Sequence, residues 1–385
     1  MTTTTVPDPS SEARRRLADT LTASGALVPG SFWHAAFTAV PRENFVPAFT
    51  VTGPDGRREF GPDDPEYLDA VYTDTSLVTV RDSNGTATSS SSQPSLMARM
   101  LEALTIGGGA RVLEIGTGTG YNAALLCHRL GSDRVTTIDV SAELTAHAGR
   151  RLATSGHTPL ILTGDGTQGH PEGAPYDGIL ATCAVDRIPT AWLHQMRPGG
   201  VIVTSIGNGV ARLVVDEEGN ADGGFLLDEA AFMPARPTAG HVAPTASQYT
   251  GLLINGDGPS RTVDLPATDS ADAFLAEAVH ATAHEVWMTQ PGVLAMTLKG
   301  AADGANVYGL VHPPTGSWAR ITPADDGRAT VVHGGRRELW STRLDLTTRW
   351  IAAGRPGPGT YTLTVTSCGA HTLRRTGTTP ATWTL

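Results

Sequence analysis

The chain has 385 residues, 40% hydrophobic and 17% charged, with a formal net charge of −10. That length suits two folded domains with ample core, while an acidic chain lacking a basic run is a poor nucleic-acid binder. No apolar stretch nears membrane-spanning length, and Cys127, Cys183 and Cys368 form neither a C-x-x-C pair nor a disulfide framework, so a reducing cytoplasm is expected.

Residues 1–10, opening Met1-Thr2-Thr3-Thr4-Thr5, read as a disordered lead rather than a signal peptide. Ala13, Leu17 and Leu21 share one face of a helix predicted over 11–24, and a second helix from Phe32 to Ala39 stops ahead of Pro41. Residues 52–68 read as a polar loop. Residues 82–95 are a Ser/Thr-rich tract, uncharged after Asp82 and ending Ser89-Ser90-Ser91-Ser92-Gln93-Pro94-Ser95, and the amphipathic run Leu96, Met97, Met100, Leu101, Leu104 follows at once. The tract is therefore expected at a helix N-terminus.

From 110 to 206 the pattern alternates. Strands are predicted at 110–115, 134–139, 159–163, 177–182 and 200–206, with helices at 121–130, 141–155 and 189–196. Such alternation implies right-handed crossovers and a mainly parallel sheet, whose ligands bind at the strands' carboxyl ends. Pro234, Pro237 and Pro244 mark a shift that divides the chain into a domain at 11–240 and an α+β extension at 241–385. The extension is predicted to hold a helix at 270–288, strands at 293–299, 306–311, 317–321, 328–333 and 360–366, and a helix near 338–352. His280 and His284 have i, i+4 spacing on that first helix, but H-E-x-x-H and a third ligand are lacking. They read as a surface pair, and no metal is expected.

The richest segment is Val112-Leu113-Glu114-Ile115-Gly116-Thr117-Gly118-Thr119-Gly120-Tyr121. A buried strand runs into a glycine turn and then a helix, so backbone there can approach a nucleoside-bearing ligand closely. The G-x-G-x-G spacing is not the dinucleotide fingerprint. Glu114 would repel a pyrophosphate but suits the cationic amino-acid end of S-adenosylmethionine. Asp139, about twenty residues beyond the turn, suits ribose hydroxyls, and Asp165 in Gly164-Asp165-Gly166 suits an adenine amino group. These three strand-end acids would line one crevice, or each would simply cap the helix that follows.

With Val40-Pro41-Arg42-Glu43-Asn44-Phe45-Val46-Pro47, Tyr72-Thr73-Asp74, Ser92-Gln93-Pro94, Ala174-Pro175-Tyr176-Asp177-Gly178-Ile179 and Arg197-Pro198-Gly199-Gly200 in order, the chain resembles the protein L-isoaspartyl O-methyltransferases over residues 10–235. The resemblance implies an α/β, Rossmann-like class I methyltransferase with a seven-stranded doubly wound sheet, S-adenosylmethionine as donor and a carboxylate as acceptor. Expected donor contacts are Glu114, Gly116, Thr117, Gly118, Tyr121, Asp139, Val140, Gly164, Asp165, Gly166 and Thr182. Ser92, with Ser91, is expected to contact the acceptor carboxylate as the catalytic pair, and Ser89, Ser90, Gln93 and Asp74 to bind substrate. A carboxylate is already an anion at neutral pH, so the reaction needs positioning and exclusion of water rather than a general base.

Several features depart from the family pattern. Ser76 stands where proline is expected, inserts lie between Pro47 and Tyr72 and at Asp82–Ser91, and Thr182-Cys183-Ala184-Val185 replaces an alanine-rich stretch. Cys183 reads as a buried structural thiol. The long C-terminal unit is similar to a branch associated with ribosomal peptide natural products (graspetides, lanthipeptides). Those relatives methylate an Asp side chain of a macrocyclised precursor peptide, and the ester collapses to aspartimide. A ribosomally synthesised precursor peptide is accordingly the expected substrate, with repair of L-isoaspartyl residues in damaged proteins as the alternative. A binding protein that no longer catalyses is a third reading, disfavoured by the intact acidic triplet.

Overall fold

Asp8 accepts the Ser10 amide at 3.2 Å and Pro9 occupies the first turn, so α1 (Pro9–Ala23) begins inside the stretch expected to be disordered. The structure, a computed structural model, describes residues 8–385 apart from 54–55, 84, 208, 231, 239–243, 282–283, 300–303, 325–326 and 378, and apart from the side chains of 227–229; residues 1–7 of the expected lead lie outside it. After α2 (Phe32–Ala39) come β1 (Phe49–Gly53), β2 (Gly56–Phe60), α3 (Tyr67–Val71), β3 (Leu77–Arg81), β4 (Ala87–Ser91) and α4 (Pro94–Ala103).

Strands β1 to β4 form an antiparallel sheet, ordered β2-β1-β3-β4, where a loop and a serine-rich helix lead were expected. The reason lies in the size of serine. Along β4 burial alternates as in any half-buried strand, with Ser89 and Ser91 each 2% exposed. Their hydroxyls are satisfied inside, Ser89 by Thr79 Oγ1 at 3.2 Å and Ser91 by Arg42 Nε at 3.3 Å. A run of identical polar residues hides that period.

The main sheet takes β5 (Val112–Ile115), β6 (Val135–Asp139), β7 (Leu160–Thr163), β8 (Tyr176–Val185), β9 (Met196–Ile206), β10 (Gly209–Val215) and β11 (Ala221–Glu229). Helices α5 (Tyr121–Leu130), α6 (Ala142–Thr154) and α7 (Thr190–Gln195) make the crossovers. Strands β5 to β9 are parallel in the order β7-β6-β5-β8-β9, so the chain reverses direction across the sheet between β5 and β8. Ligands of doubly wound sheets sit at that switch point. Leu17, Leu21, Phe37 and Leu125 pack one face of the sheet; Tyr176, Trp192, Leu193 and Ile206 pack the other.

The remaining elements are α8 (Thr250–Asn255), β12 (Ser260–Asp264), α9 (Ala271–Val279), α10 (His284–Thr289), β13 (Leu294–Lys299), β14 (Asn306–His312), β15 (Ser317–Pro323), β16 (Arg328–Gly334), α11 (Leu339–Ala352), β17 (Tyr361–Val365), β18 (His371–Arg375) and β19 (Ala381–Thr384). Strands β12 to β16 build a separate antiparallel sheet, cored with α9 and α11 by Phe274, Leu275, Tyr308, Leu310 and Trp340. The expected helix at 270–288 is broken after Val279, which removes the i, i+4 relation of His280 and His284. His280 bonds Thr297, whereas His284 is buried against Phe225, so they are not a surface pair.

The last three strands leave the extension. β17 pairs antiparallel with β11, and the main sheet grows to ten strands. A buried Arg375–Glu285 pair at 2.5 Å and the Tyr361 hydroxyl on Glu285 at 2.6 Å tie this return to α10. The sequence boundary near 240 therefore separates the second sheet but not the chain's end.

Candidate active site

A cavity of about 360 Å³ opens over the switch point, a size within the range of small-molecule sites. Its floor is the glycine turn. Gly116, Gly118 and Gly120 have φ of 95°, 51° and 90°, a region that side chains disfavour. A Cβ on Gly116 would stand 2.8 Å from Thr182 Oγ1, whose hydroxyl donates to the Gly116 carbonyl at 2.8 Å. That bond ties β5 to β8 across the switch point. Asp139, at the end of β6, accepts the Gly118 amide at 2.9 Å and the Ser141 amide at 3.0 Å, and Asp165 accepts both the amide and hydroxyl of Thr167. Both acids line the cavity, together with Thr117, Tyr121, Val140, Gly166 and Thr182.

Glu114 does not reach it. The side chain is fully buried, accepting from Asn122 Nδ2 at 2.7 Å and Thr137 Oγ1 at 2.6 Å. Burial pushes its carboxyl up to about 7, against the pull of those two bonds. Asn122 takes its place on the wall, with a buried Oδ1 that has no hydrogen-bond partner among the described residues; the same holds for the buried Tyr121 hydroxyl. An acceptor oxygen held in position by Glu114 suits a ligand ammonium, a role the sequence had given to Glu114 itself. Gly164 also lies off the lining, where its amide bonds the Asp139 carbonyl at 2.9 Å.

The opposite wall is β4 and the turn after it. Ser89, Ser90, Ser91, Ser92 and Gln93 all line the cavity, and a Cβ on Gly118 would stand 3.6 Å from the Ser90 carbonyl. Their positions are set by Arg42. This guanidinium is fully buried, donating to the carbonyls of Val71, Thr73, Thr75, Ser91 and Ser92 and to the Ser91 hydroxyl. Desolvation lowers its pKa to about 10, leaving it charged. Arg42 thus explains the Val-Pro-Arg segment: it binds the Tyr72-Thr73-Asp74 stretch to the serine strand. Ser91 is held by this network, whereas the Ser92 side chain carries no such tie and is half-buried. Asp74 is not on the lining. It accepts the Ser95 amide at 2.8 Å and Gln93 Nε2 at 3.3 Å, capping α4.

Residues 232–236 close the cavity's remaining side, a contribution absent from the sequence reading. They sit beside an irregularity in β8 between Ala181 and Ala184, where Ala184 exchanges backbone bonds with Met233 and Ala235. Only that bulge would have signalled them. Cys183 lines the cavity too, its thiol pushed up to about 12 by burial, which leaves it no nucleophile. Among the described residues no group of three or more metal-ligating side chains occurs, and no helix is long and apolar enough to cross a membrane.

The family model for protein-L-isoaspartate(D-aspartate) O-methyltransferase matches residues 56–232. A protein-L-isoaspartate O-methyltransferase of Methanoregula boonei is 34% identical over 60% of this chain and 95% of its own length, and one of Ignicoccus hospitalis is 34% identical over 51% and 82%. With that of Thermotoga maritima the match is 38% identical over 44% of this chain and 49% of the relative, so the chain spans about half of it. A solved structure titled protein-L-isoaspartate O-methyltransferase superposes with a TM-score of 0.50 at 26% identity, covering 92% of this chain and 96% of that one. That coverage takes in the extension, which therefore does not by itself mark a peptide-tailoring branch. By these relatives and by its site, the chain belongs to the protein-L-isoaspartate(D-aspartate) O-methyltransferase family of S-adenosylmethionine-dependent carboxyl methyltransferases.

Proposed function

We propose that this protein methylates the free carboxylate of L-isoaspartyl residues in proteins or peptides. The observation that carries the reading is one cavity joining an acid-lined glycine turn to a hydroxyl-lined strand. The first wall suits a cationic nucleoside donor, the second an anionic acceptor. Asp139 would hold the ribose hydroxyls, Asp165 and Gly166 the adenine, and Asn122 Oδ1 the ammonium. When bound, S-adenosylmethionine supplies a methyl group on a sulfonium sulfur. An acceptor carboxylate needs no base, so the protein's part is to orient it and keep water out. Ser92 would donate to the acceptor oxygen, with Arg42 keeping its backbone in place.

Incubation with a synthetic isoaspartyl peptide and methyl-labelled donor is the direct test. Transfer of label to the isoaspartyl peptide but not to its normal aspartyl counterpart is expected. Label on a macrocyclised precursor peptide alone would replace this reading with peptide tailoring and aspartimide formation.

A further inference from the structure

Arg236 is the only cationic side chain lining the cavity among the described residues. The two carboxylates of the lining, Asp139 and Asp165, stand at or just beyond the ends of β6 and β7, in the donor half. Arg236 enters from the other side, where its Nη2 donates to the Thr88 carbonyl of β4 at 3.2 Å. The backbone leading to it is fixed: the Ala184 amide donates to Met233 O at 2.9 Å and the Ala235 amide to Ala184 O at 2.8 Å. Among the described residues, that one bond to a neutral carbonyl leaves most of a five-donor guanidinium fork unused, and the fork matches a carboxylate.

We propose that Arg236 anchors the acceptor's carboxylate, pairing with it at the β4 wall while Ser92 addresses the oxygen that receives the methyl group. The proposal rests on the carboxyl-transfer reading above. Its logic is one of charge. Asp139 and Asp165 favour a cationic donor but repel an incoming acid, and a guanidinium on the far wall offsets that repulsion. Methyl transfer forms an O–C bond as the C–S bond breaks, its electron pair staying on sulfur, and the acceptor leaves as a neutral ester. The ion pair therefore exists only before transfer. The same residue that captures the acid loses its hold on the product.

The test uses the full chain, a synthetic isoaspartyl peptide, the methyl ester of that peptide, and the variants Arg236→Gln and Arg236→Lys. Calorimetry on protein saturated with S-adenosylhomocysteine reads peptide binding without turnover. Wild type is expected to bind the acid about tenfold or more tightly than the ester. Arg236→Gln should level the two, Arg236→Lys should restore part of the difference, and affinity for S-adenosylhomocysteine should stay unchanged throughout. In turnover, KM for the peptide should rise about tenfold in Arg236→Gln with kcat nearly preserved. Equal affinity of Arg236→Gln and wild type for the acid overturns the anchor, as does a wild type that does not bind the acid. Arg236-dependent binding without methyl transfer would instead overturn the isoaspartyl reading and leave the anchor standing.

Discussion

Asp139 uses its two oxygens to hold the glycine turn and the start of α6, yet it still borders the cavity. Ser92 borders the same cavity from the other wall. Their substitutions should therefore separate. Asp139→Ala is expected to weaken donor binding about ten- to a hundredfold, the worth of hydrogen bonds to a charged group; calorimetry with unchanged affinity would refute the ribose contact. Ser92→Ala should lower kcat/KM for peptide about tenfold or more while leaving donor affinity alone. At this scale the sequence was most legible where backbone chemistry dictates the residue, as at Gly116 and Gly118. It misled where a side chain's direction decides. Glu114 and Asp74 both belong to motifs, yet Glu114 is buried against Asn122 and Thr137 and Asp74 binds the start of α4, so neither lines the cavity. Asn122 and Arg236 stand in no pattern that spacing could reveal.

At the level of elements, parallel strands and their crossover helices were read with small errors in their bounds, because a hydrophobic run followed by a helical period is a local signal. β4 and the β1–β2 hairpin were not, since a run of serines hides the alternation of β4 and β2 is exposed at every position but Phe60. Two buried titrating groups test how tightly these elements close. His284, between Phe225 of β11 and Tyr361 of β17, has its pKa lowered to about 4 by burial, against an ordinary 6.5. The folded state binds fewer protons there than the unfolded chain, so this contribution is lost as pH falls from 6.5 towards 4. Glu114 has the reverse sign: raised from 4.5 to about 7, it makes the folded state less stable as pH rises through that interval. Each shift corresponds to about 3 kcal/mol at most. Urea unfolding should show Glu114→Gln gaining on wild type as pH rises from 5 to 7, and His284→Gln gaining as pH falls over the same range. Pairs of parallel profiles would show that these groups are hydrated.

For the whole molecule, the composition shift near 240 precedes the second sheet, β12 to β16, but says nothing of the return of β17 to β11. Strand pairing across so long an interval leaves no trace in local sequence. It changes what a truncation means. Removing 241–385 would take away not only the second sheet but also the strand that covers β11 and the Arg375–Glu285 pair. An open, apolar-backed sheet edge invites aggregation. Ending the chain after Ala352 should accordingly yield protein that aggregates or unfolds at lower temperature, measured by light scattering and thermal melting. A monomeric, fully stable product would show that β17 is dispensable to the sheet.

That pairing also sets an order in time. Every residue of the donor turn, the serine strand and the segment ending at Arg236 emerges during synthesis before β17 does. With β11 ending at Glu229 and β17 starting at Tyr361, the edge of the nearly finished sheet stands uncovered for about 7–26 s at ordinary elongation rates of about 5–20 residues per second. The enzyme's binding cleft can thus be assembled on the ribosome well before the molecule that carries it is safe from its neighbours.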